Sequence, residues 1–323
     1  GYDFLRREAY RNADVIHFHW INGGLVNLKL FNDITKPIIW TIRDMWPFTG
    51  GCHYSLDCNR YLSECGSCFY LNSNKEKDLA TYLFNRKKRI IEKNSVEVVG
   101  ISNWISNEAK RSKILGGENI STIFNNIDTD VFRPYDKIET RRALKIDFDK
   151  TIILVGAINS KNTWKGFKFL KDALNRLDAE KYKVLTFGKI KSNDFNQIDL
   201  QITNLGLIND DVLLAKVYSL SDVYLTTAIQ EAFGKTVVES MACGTPVVCF
   251  DNSGPSDLVT HKKEGYLAKA FSTIDVADGI EWIINNQNYK LLCKNSRKRA
   301  LENFDYRVTS KKYIELYKRK LKK

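Results

Sequence analysis

The stretch DVYLTTAIQEAFGKTVVESMACGTPVVCFDNSGPSDL, residues 222–258, decides how the chain is read. It opens with a β-rich run at 223–227, reaches the acid Glu231, crosses Gly234, and enters a short helix that carries a second acid, Glu239. Gly244 stops that helix, Pro246 follows, and residues 247–250 read as the next strand. This is a strand–loop–helix–strand unit of a parallel α/β sheet. Its loop lies at the carboxyl end of a strand, where such sheets bind ligands.

The spacing of the charged groups then suggests a ligand. Lys235, Thr236 and Val237 supply the first N–H groups of the helix, which have no intrahelical partner and sit at the positive end of its dipole; a phosphate suits them. Glu239, about one turn further in, is a poor phosphate neighbour unless it accepts hydrogen bonds from a diol such as a ribose. Glu231 could serve a second hydroxyl-bearing group in the same way. Two acids flanking a phosphate-binding helix start describe a pocket for a sugar–diphosphate–nucleoside. An ordinary surface loop whose acids face water has the same spacing, and spacing alone leaves both readings open.

The literal strings E-A-F-G-K-T-V-V-E, S-M-A-C-G-T-P-V-V, G-P-S-D-L-V and G-Y-L-A lie in order between residues 231 and 268. They resemble the E-x7-E signature region of the retaining glycosyltransferases of family 4, which have the GT-B fold. The resemblance implies an α/β chain of two Rossmann-like domains facing a cleft. It places the donor ribose on Glu239 and the donor sugar on Glu231, with Phe233 and Gly234 of the same motif also on the substrate. It further implies retention by front-face attack, with the leaving phosphate oxygen helping to deprotonate the acceptor and no enzyme nucleophile.

Composition sets outer bounds. A chain of 323 residues exceeds one usual core, and two domains are the natural expectation. With 43% hydrophobic and 27% charged residues it reads as a soluble globular protein, and no apolar run approaches the length of a membrane-spanning helix. Seven cysteines, an odd number, do not make a disulfide scaffold and fit a reducing compartment, so a cytoplasmic location is expected. The net charge of +12 points to an anionic partner. Its basic residues are spread along the chain with no nucleic-acid module, which disfavours DNA or RNA. Nucleotides, phosphorylated lipids or an anionic membrane surface fit better. The terminal KKYIELYKRKLKK could lie on such a surface through Tyr313, Ile314, Leu316, Tyr317 and Leu321, but a helix packed on the protein with a solvated lysine face is the favoured reading.

In the first half, residues 14–20 (DVIHFHW) read as a strand with His17 and His19 on one face, and Ile38–Ile42 as a second strand ending at Arg43 and Asp44. H-F-H-W-I-N-G-G and W-T-I-R-D-M-W-P-F-T-G-G-C-H-Y resemble the N-terminal half of a bacterial polysaccharide-type subgroup of the same family. Relatives in that subgroup carry a His beside the donor sugar where this chain has Arg43. An arginine can bind a phosphate or a sugar hydroxyl but stays protonated, so it cannot act as a neutral acid–base group. His19 is placed with the substrate-binding residues.

The loop 45–71 that follows is long, aromatic and cysteine-rich, and loops of this kind in compact domains are usually functional. Cys52, Cys58, Cys65 and Cys68 have the spacing C-x5-C-x6-C-x2-C, which could hold one structural zinc or simply present free thiols. His53 is a substitute ligand or a residue facing cleft or solvent. Leu79–Lys93 reads as a helix whose Arg86-Lys87-Lys88-Arg89 run is expected on a solvated face. Asp128-Thr129-Asp130 matches a D-x-D metal pattern, but three residues among 38 acids match by chance.

Residues 132–149 are polar and read as a linker with a short helix, after which 151–155 opens the second domain. In the family a basic pair in the next loop neutralises the donor pyrophosphate. Lys165 matches its lysine and Lys161 is the stand-in for the other cation. Gly206 and Leu207, at a later strand end, are where relatives place backbone contacts to the base. The domains are therefore drawn as 1–135 for a first, acceptor-side domain, 136–303 for the nucleotide-sugar domain, and 304–323 for a terminal helix returning to the first. The first domain is expected to lack its N-terminal strands, because the chain has no initiator Met and begins where a later strand of that domain should. About four strands would remain, with an open edge.

Together these readings give a retaining hexosyltransferase-type enzyme that needs no cofactor for catalysis. It would use a nucleotide-diphosphate sugar and a glycan or lipid-linked acceptor in surface polysaccharide synthesis. Its assigned catalytic residues are Glu231, Lys165 and Arg43. The alternatives are a nucleotide-sugar-binding homologue without transfer and a nucleic-acid-binding protein that uses the net charge and the cysteines.

Overall fold

In the computed structural model, which describes residues 2–146, 149–157, 162–189 and 192–322, the apolar runs form ten strands, all paired in parallel in two sheets. The inner strands are mostly apolar and buried because parallel sheets are covered on both faces, with a few buried polar exceptions such as Thr41, Glu97 and Lys183. Ile38–Ile42 and Val96–Gly100, for example, are buried at every position.

The chain divides into two units, residues 1–124 with 310–323, and residues 125–309. The first break thus falls before the expected boundary at 135. Residues 125–135 stay with the second unit because the Ile127 amide donates to the Phe304 carbonyl at 2.9 Å and the Arg297 guanidinium bonds the carbonyls of Thr129 and Phe132. Asp128-Thr129-Asp130 serves the same joint: Thr129 Oγ1 donates to Asp305, and Asp130 pairs with Arg307 at 2.8 Å.

The first unit holds four strands among the described residues, β1 (Ile16–Phe18), β2 (Ile38–Ile42), β3 (Val96–Gly100) and β4 (Ile120–Thr122), side by side in chain order. The helix Leu79–Lys93 forms where its periodicity places it and starts in a capping box between Asp78 and Thr81. Its basic run is not uniformly solvated, however. Lys87 is 2% exposed, with Nζ bonded to the Trp46 carbonyl and 4.1 Å from the Trp46 ring centroid. Burial pulls its ammonium down to about 7.

The terminal helix Tyr306–Leu321 packs Leu316, Tyr313 and Tyr317 on Ile39, Val99 and Ile123 of this sheet, while Ile314 and Leu321 stay exposed. His17 ties it down: Nδ1 meets the Tyr317 hydroxyl at 2.6 Å and Nε2 meets Thr41 Oγ1 at 2.8 Å. Desolvation first, then His19 and Arg43, lowers His17 to about 4.

The second unit holds β5 (Thr151–Ala157), β6 (Tyr182–Gly188), β7 (Gln201–Asn204), β8 (Val223–Thr226), β9 (Val247–Phe250) and β10 (Gly265–Ala268). Their spatial order is β10-β9-β8-β5-β6-β7. This is the doubly wound order in which the chain runs outward in one direction from β5, then returns to β8 and runs outward in the other. Neighbouring β5 and β8 therefore send their carboxyl ends into loops that diverge, and the crevice between those loops is where such a sheet takes a ligand.

Candidate active site

At that crevice the second unit has a cavity of about 320 Å³, lined from the ends of β5, β6 and β8 and by the helix Lys235–Ala242. Small-molecule pockets span roughly 300–1,000 Å³. Its walls include Val155, Gly156, Lys165, Phe187, Leu207, Ile208, Leu214, Thr226, Glu231, Lys235, Thr236 and Glu239. The lining thus combines apolar side chains with four charged ones, Lys165, Glu231, Lys235 and Glu239.

Lys165 and Glu231 lie 66 residues apart in sequence and meet here as an ion pair. Their loops are laced together. The Trp164 carbonyl accepts from the amides of Ile229, at 2.8 Å, and Gln230, and Thr227 Oγ1 donates to the Gly166 carbonyl at 3.0 Å. Gly166 sits at φ +65° with a Cβ site 1.9 Å from the Thr227 carbonyl oxygen, so only glycine permits this approach. From the other side the Gly254 amide donates to the Glu231 carbonyl at 2.9 Å. Glu231 is thus held by its backbone from one loop and by its side chain from another.

Glu239 is 4% exposed. Its Oε2 accepts from the Tyr218 hydroxyl at 2.8 Å, and Oε1 lies 3.2 Å from Lys235 Nζ. Desolvation and the neighbouring Glu239 charge hold the Tyr218 phenol well above its ordinary range, so it remains a donor. Tyr218 comes from the helix Asp211–Leu220, whose N-terminus is capped by Asp210. Sequence reasoning did not find it, because a tyrosine within an apolar helix carries no sign that its hydroxyl is aimed at an acid.

The helix Lys235–Ala242 begins after Gly234, which adopts φ +92° and lines the cavity. The amides of Lys235 and Thr236 have no hydrogen-bond partner among the described residues, whereas the Val237 amide donates to the Gly234 carbonyl at 3.0 Å. The expected three-amide cradle is therefore two amides, because the tight left-handed entry turns the Gly234 carbonyl back onto the third.

Two other expectations are corrected. Phe233 is 2% exposed and packs edge-on against Phe304, 6.0 Å between centroids, because successive side chains at the Gly234 turn point to opposite sides. Gly206 does not line the cavity. At φ +69° it turns the chain, taking a bond from the Gly188 amide at 2.8 Å, and so presents Leu207 and Ile208 instead. Lys161 lies outside the described residues.

Arg43 and His19 belong to the first unit, where Arg43 Nη2 donates to His19 Nδ1 at 3.3 Å. Burial and the Arg43 charge depress His19. The four loop cysteines do not form a ligand set: among the described residues no group of three or more His, Cys, Asp or Glu side chains is arranged to hold a metal. The loop is braced by other bonds, including Gly50 N to Cys65 Sγ at 3.1 Å, Ser67 N to the Lys75 carbonyl at 2.8 Å, and Cys68 N to Asp78 at 2.9 Å. No helix among the described residues is long and apolar enough to cross a membrane.

Residues 136–303, about half the chain, match the family model described as glycosyl transferases group 1. An uncharacterised glycosyltransferase of Methanocaldococcus jannaschii is 23% identical over 319 residues, covering 94% of this chain and 75% of that protein. The N-acetyl-alpha-D-glucosaminyl L-malate synthase of Bacillus anthracis is 26% identical over 235 residues, 70% of this chain and 59% of that one. Among solved structures, the sucrose-phosphate synthase of Thermosynechococcus elongatus superposes with a TM-score of 0.75 at 20% identity, over 95% of this chain and 73% of that chain. Anabaena HepE in complex with UDP-glucose gives 0.68 at 18% identity, over 95% and 79%. The shared fold is GT-B, α/β with two Rossmann-like domains.

Proposed function

The chain belongs to the group 1 glycosyl transferases, and on that premise we propose that it is a retaining enzyme of family 4 that transfers a hexosyl group. The donor is a nucleotide-diphosphate sugar, and the acceptor is a glycan or lipid-linked glycan in surface polysaccharide synthesis. The observation that carries the reading is the convergence of Lys165, Glu231, Glu239 and the unpartnered Lys235 and Thr236 amides on one cavity at the sheet's switch point. Anabaena HepE was solved with UDP-glucose, and a uridine diphosphate sugar is the donor proposed here.

Each group has a task. The amides of Lys235 and Thr236 and the Lys165 ammonium neutralise the diphosphate, most strongly as charge develops on the departing oxygen. Glu239, fixed by Tyr218, accepts from the ribose diol. Glu231 accepts from hydroxyls of the donor sugar and, before the donor arrives, keeps Lys165 aimed into the cavity. The base lies against Phe187, Leu207 and Ile208 of the cavity lining. The acceptor hydroxyl attacks from the face the diphosphate leaves, and the leaving oxygen takes its proton, so no enzyme nucleophile is required. Arg43 is assigned to a phosphate or sugar hydroxyl, with His19 beside it.

Titration calorimetry of the full chain with UDP, UDP-glucose and uridine tests the reading. Lys165→Ala should weaken UDP by about ten- to a hundredfold, the equivalent of one charged hydrogen bond, and leave uridine unchanged. Absence of binding by every nucleoside diphosphate sinks the proposal. A second reading, a binding homologue without transfer, draws on Arg43 standing where a titratable group is expected. Donor binding with neither transfer nor hydrolysis, followed by mass spectrometry across an acceptor panel, decides for it.

A further inference from the structure

The first unit carries a second side-chain cluster that the donor chemistry leaves unused. Asp44 follows β2 and is buried, at 7% exposure. Its Oδ2 accepts from the indole N–H of Trp20 at 3.0 Å and from His53 Nδ1 at 2.7 Å, while Oδ1 takes the Trp46 amide at 2.9 Å. One carboxylate therefore holds two rings from segments 33 residues apart in sequence. Those rings are exposed, Trp20 at 50% and the His53 side chain at 48%, and lie nearly parallel, at 20° with centroids 6.2 Å apart. Nearby, Asn22, itself buried, sets its amide 3.5 Å from His53 Nδ1. Lys87 secures the Trp46 carbonyl beneath the same turn.

A buried carboxylate grips the indole N–H and fixes the ring with half of the side chain in water, so a ligand that covered its face would bury that apolar area on an already oriented platform. What fits is a body with one flat apolar face and a rim of hydroxyls. The apolar face stacks on the indole, and the rim meets His53 Nε2, which bonds nothing among the described residues, and the Asn22 amide. A pyranose ring has that shape, with C–H groups on one face and hydroxyls around its edge. The cluster also stands at the carboxyl ends of parallel strands β1 and β2, the edge at which such sheets carry their sites.

We propose that Trp20, His53, Asn22 and Asp44 form a carbohydrate-binding subsite of the first unit. In it a pyranose stacks on Trp20, and Asp44 acts as the positioning residue for both rings. Its assignment to the acceptor glycan rests on the glycosyltransferase reading above; the subsite itself does not.

The test uses the full chain, with methyl α-glucoside, methyl α-galactoside and methyl N-acetyl-α-glucosaminide as probes, read by saturation-transfer NMR, and with UDP measured alongside. In the native chain at least one glycoside receives transfer. Trp20→Ala and His53→Ala cut its apparent affinity roughly tenfold, Trp20→Phe, which keeps a stacking ring but not the N–H that Asp44 holds, restores part of it, and UDP affinity stays unchanged throughout. Asp44→Asn, which keeps the shape and loses the charge, weakens the glycoside through both rings. The proposal is overturned if no glycoside receives transfer, if the variants leave transfer unaltered, or if Trp20→Ala weakens UDP instead, which would make the indole a base platform. Failure of UDP to bind the native chain counts against the donor reading and leaves the glycoside result standing alone. Should Trp20→Ala unfold by circular dichroism, His53→Ala and His53→Gln carry the comparison, with the same loss of affinity expected.

Discussion

Replacing Tyr218 by phenylalanine removes one oxygen and leaves the ring, which packs against Phe187 and Tyr224 at 5.7 and 5.6 Å between centroids. What remains is the Glu239 carboxylate, 4% exposed, with Lys235 at 3.2 Å and one donor fewer. A hydrogen bond to a buried charge contributes about 1.5–3 kcal/mol. At about 2–4 °C per kcal/mol for a domain of this size, the melting temperature should fall by roughly 3–12 °C. Any part of the loss that reflects Glu239 turning toward Lys235 also appears in binding, as about a three- to tenfold weaker affinity for UDP. A UDP analogue without either ribose hydroxyl should show no such change, because it offers Glu239 no diol. Differential scanning calorimetry with and without each ligand reads both effects. A lower melting temperature with UDP affinity untouched would show that Tyr218 only supports the fold. An equal affinity loss for the analogue would show that Glu239 does not hold the ribose.

Three further outcomes follow from the same geometry. Gly166→Ala places a methyl group 1.9 Å from the Thr227 carbonyl at φ +65°, and denaturant titration should show a loss of more than about 2 kcal/mol together with weaker UDP binding, since the lacing that brings Lys165 to Glu231 is broken. His17 is neutral in both states above its ordinary value of 6.5, but between 6.5 and about 4 the unfolded chain takes a proton that the folded ring refuses. Stability should therefore fall as pH drops through that window and level off below it, by roughly 1–2 kcal/mol after discounting for solvent, and His17→Gln should remove this share of the slope in urea titrations. Treatment with a chelator should leave the melting temperature unchanged, because the loop cysteines are not arranged as a ligand set; a drop of several degrees would restore the zinc reading.

Much of the second unit could be read without coordinates. Residues 222–258 carry strand, glycine turn, helix and strand in the order observed, and in the first unit the helix Leu79–Lys93 was legible from its apolar spacing. Errors cluster where a side chain's direction depends on a turn. Phe233 and Gly206 stand beside glycines or at positive φ, where the backbone reverses and neighbouring positions face opposite ways. Lys87 reads as one more surface lysine in a basic run, and only the chain folded over it shows that it is buried on Trp46.

The amino-acid order by itself determined the parallel α/β units, the glycine-opened helix start and the pair of acids eight positions apart, because these depend on local periodicity and on backbone freedom within one short stretch. Tertiary structure decided which groups meet. Lys165 reaches Glu231 because two loops share the Trp164 carbonyl, Glu239 is anchored by a phenol from another helix, and Trp20 and His53 stand parallel because one buried carboxylate between them binds both. Such contacts join residues tens of positions apart, and no sequence period encodes them. They are set by the order in which strands lie side by side and by the few hydrogen bonds that fix the loops at their ends.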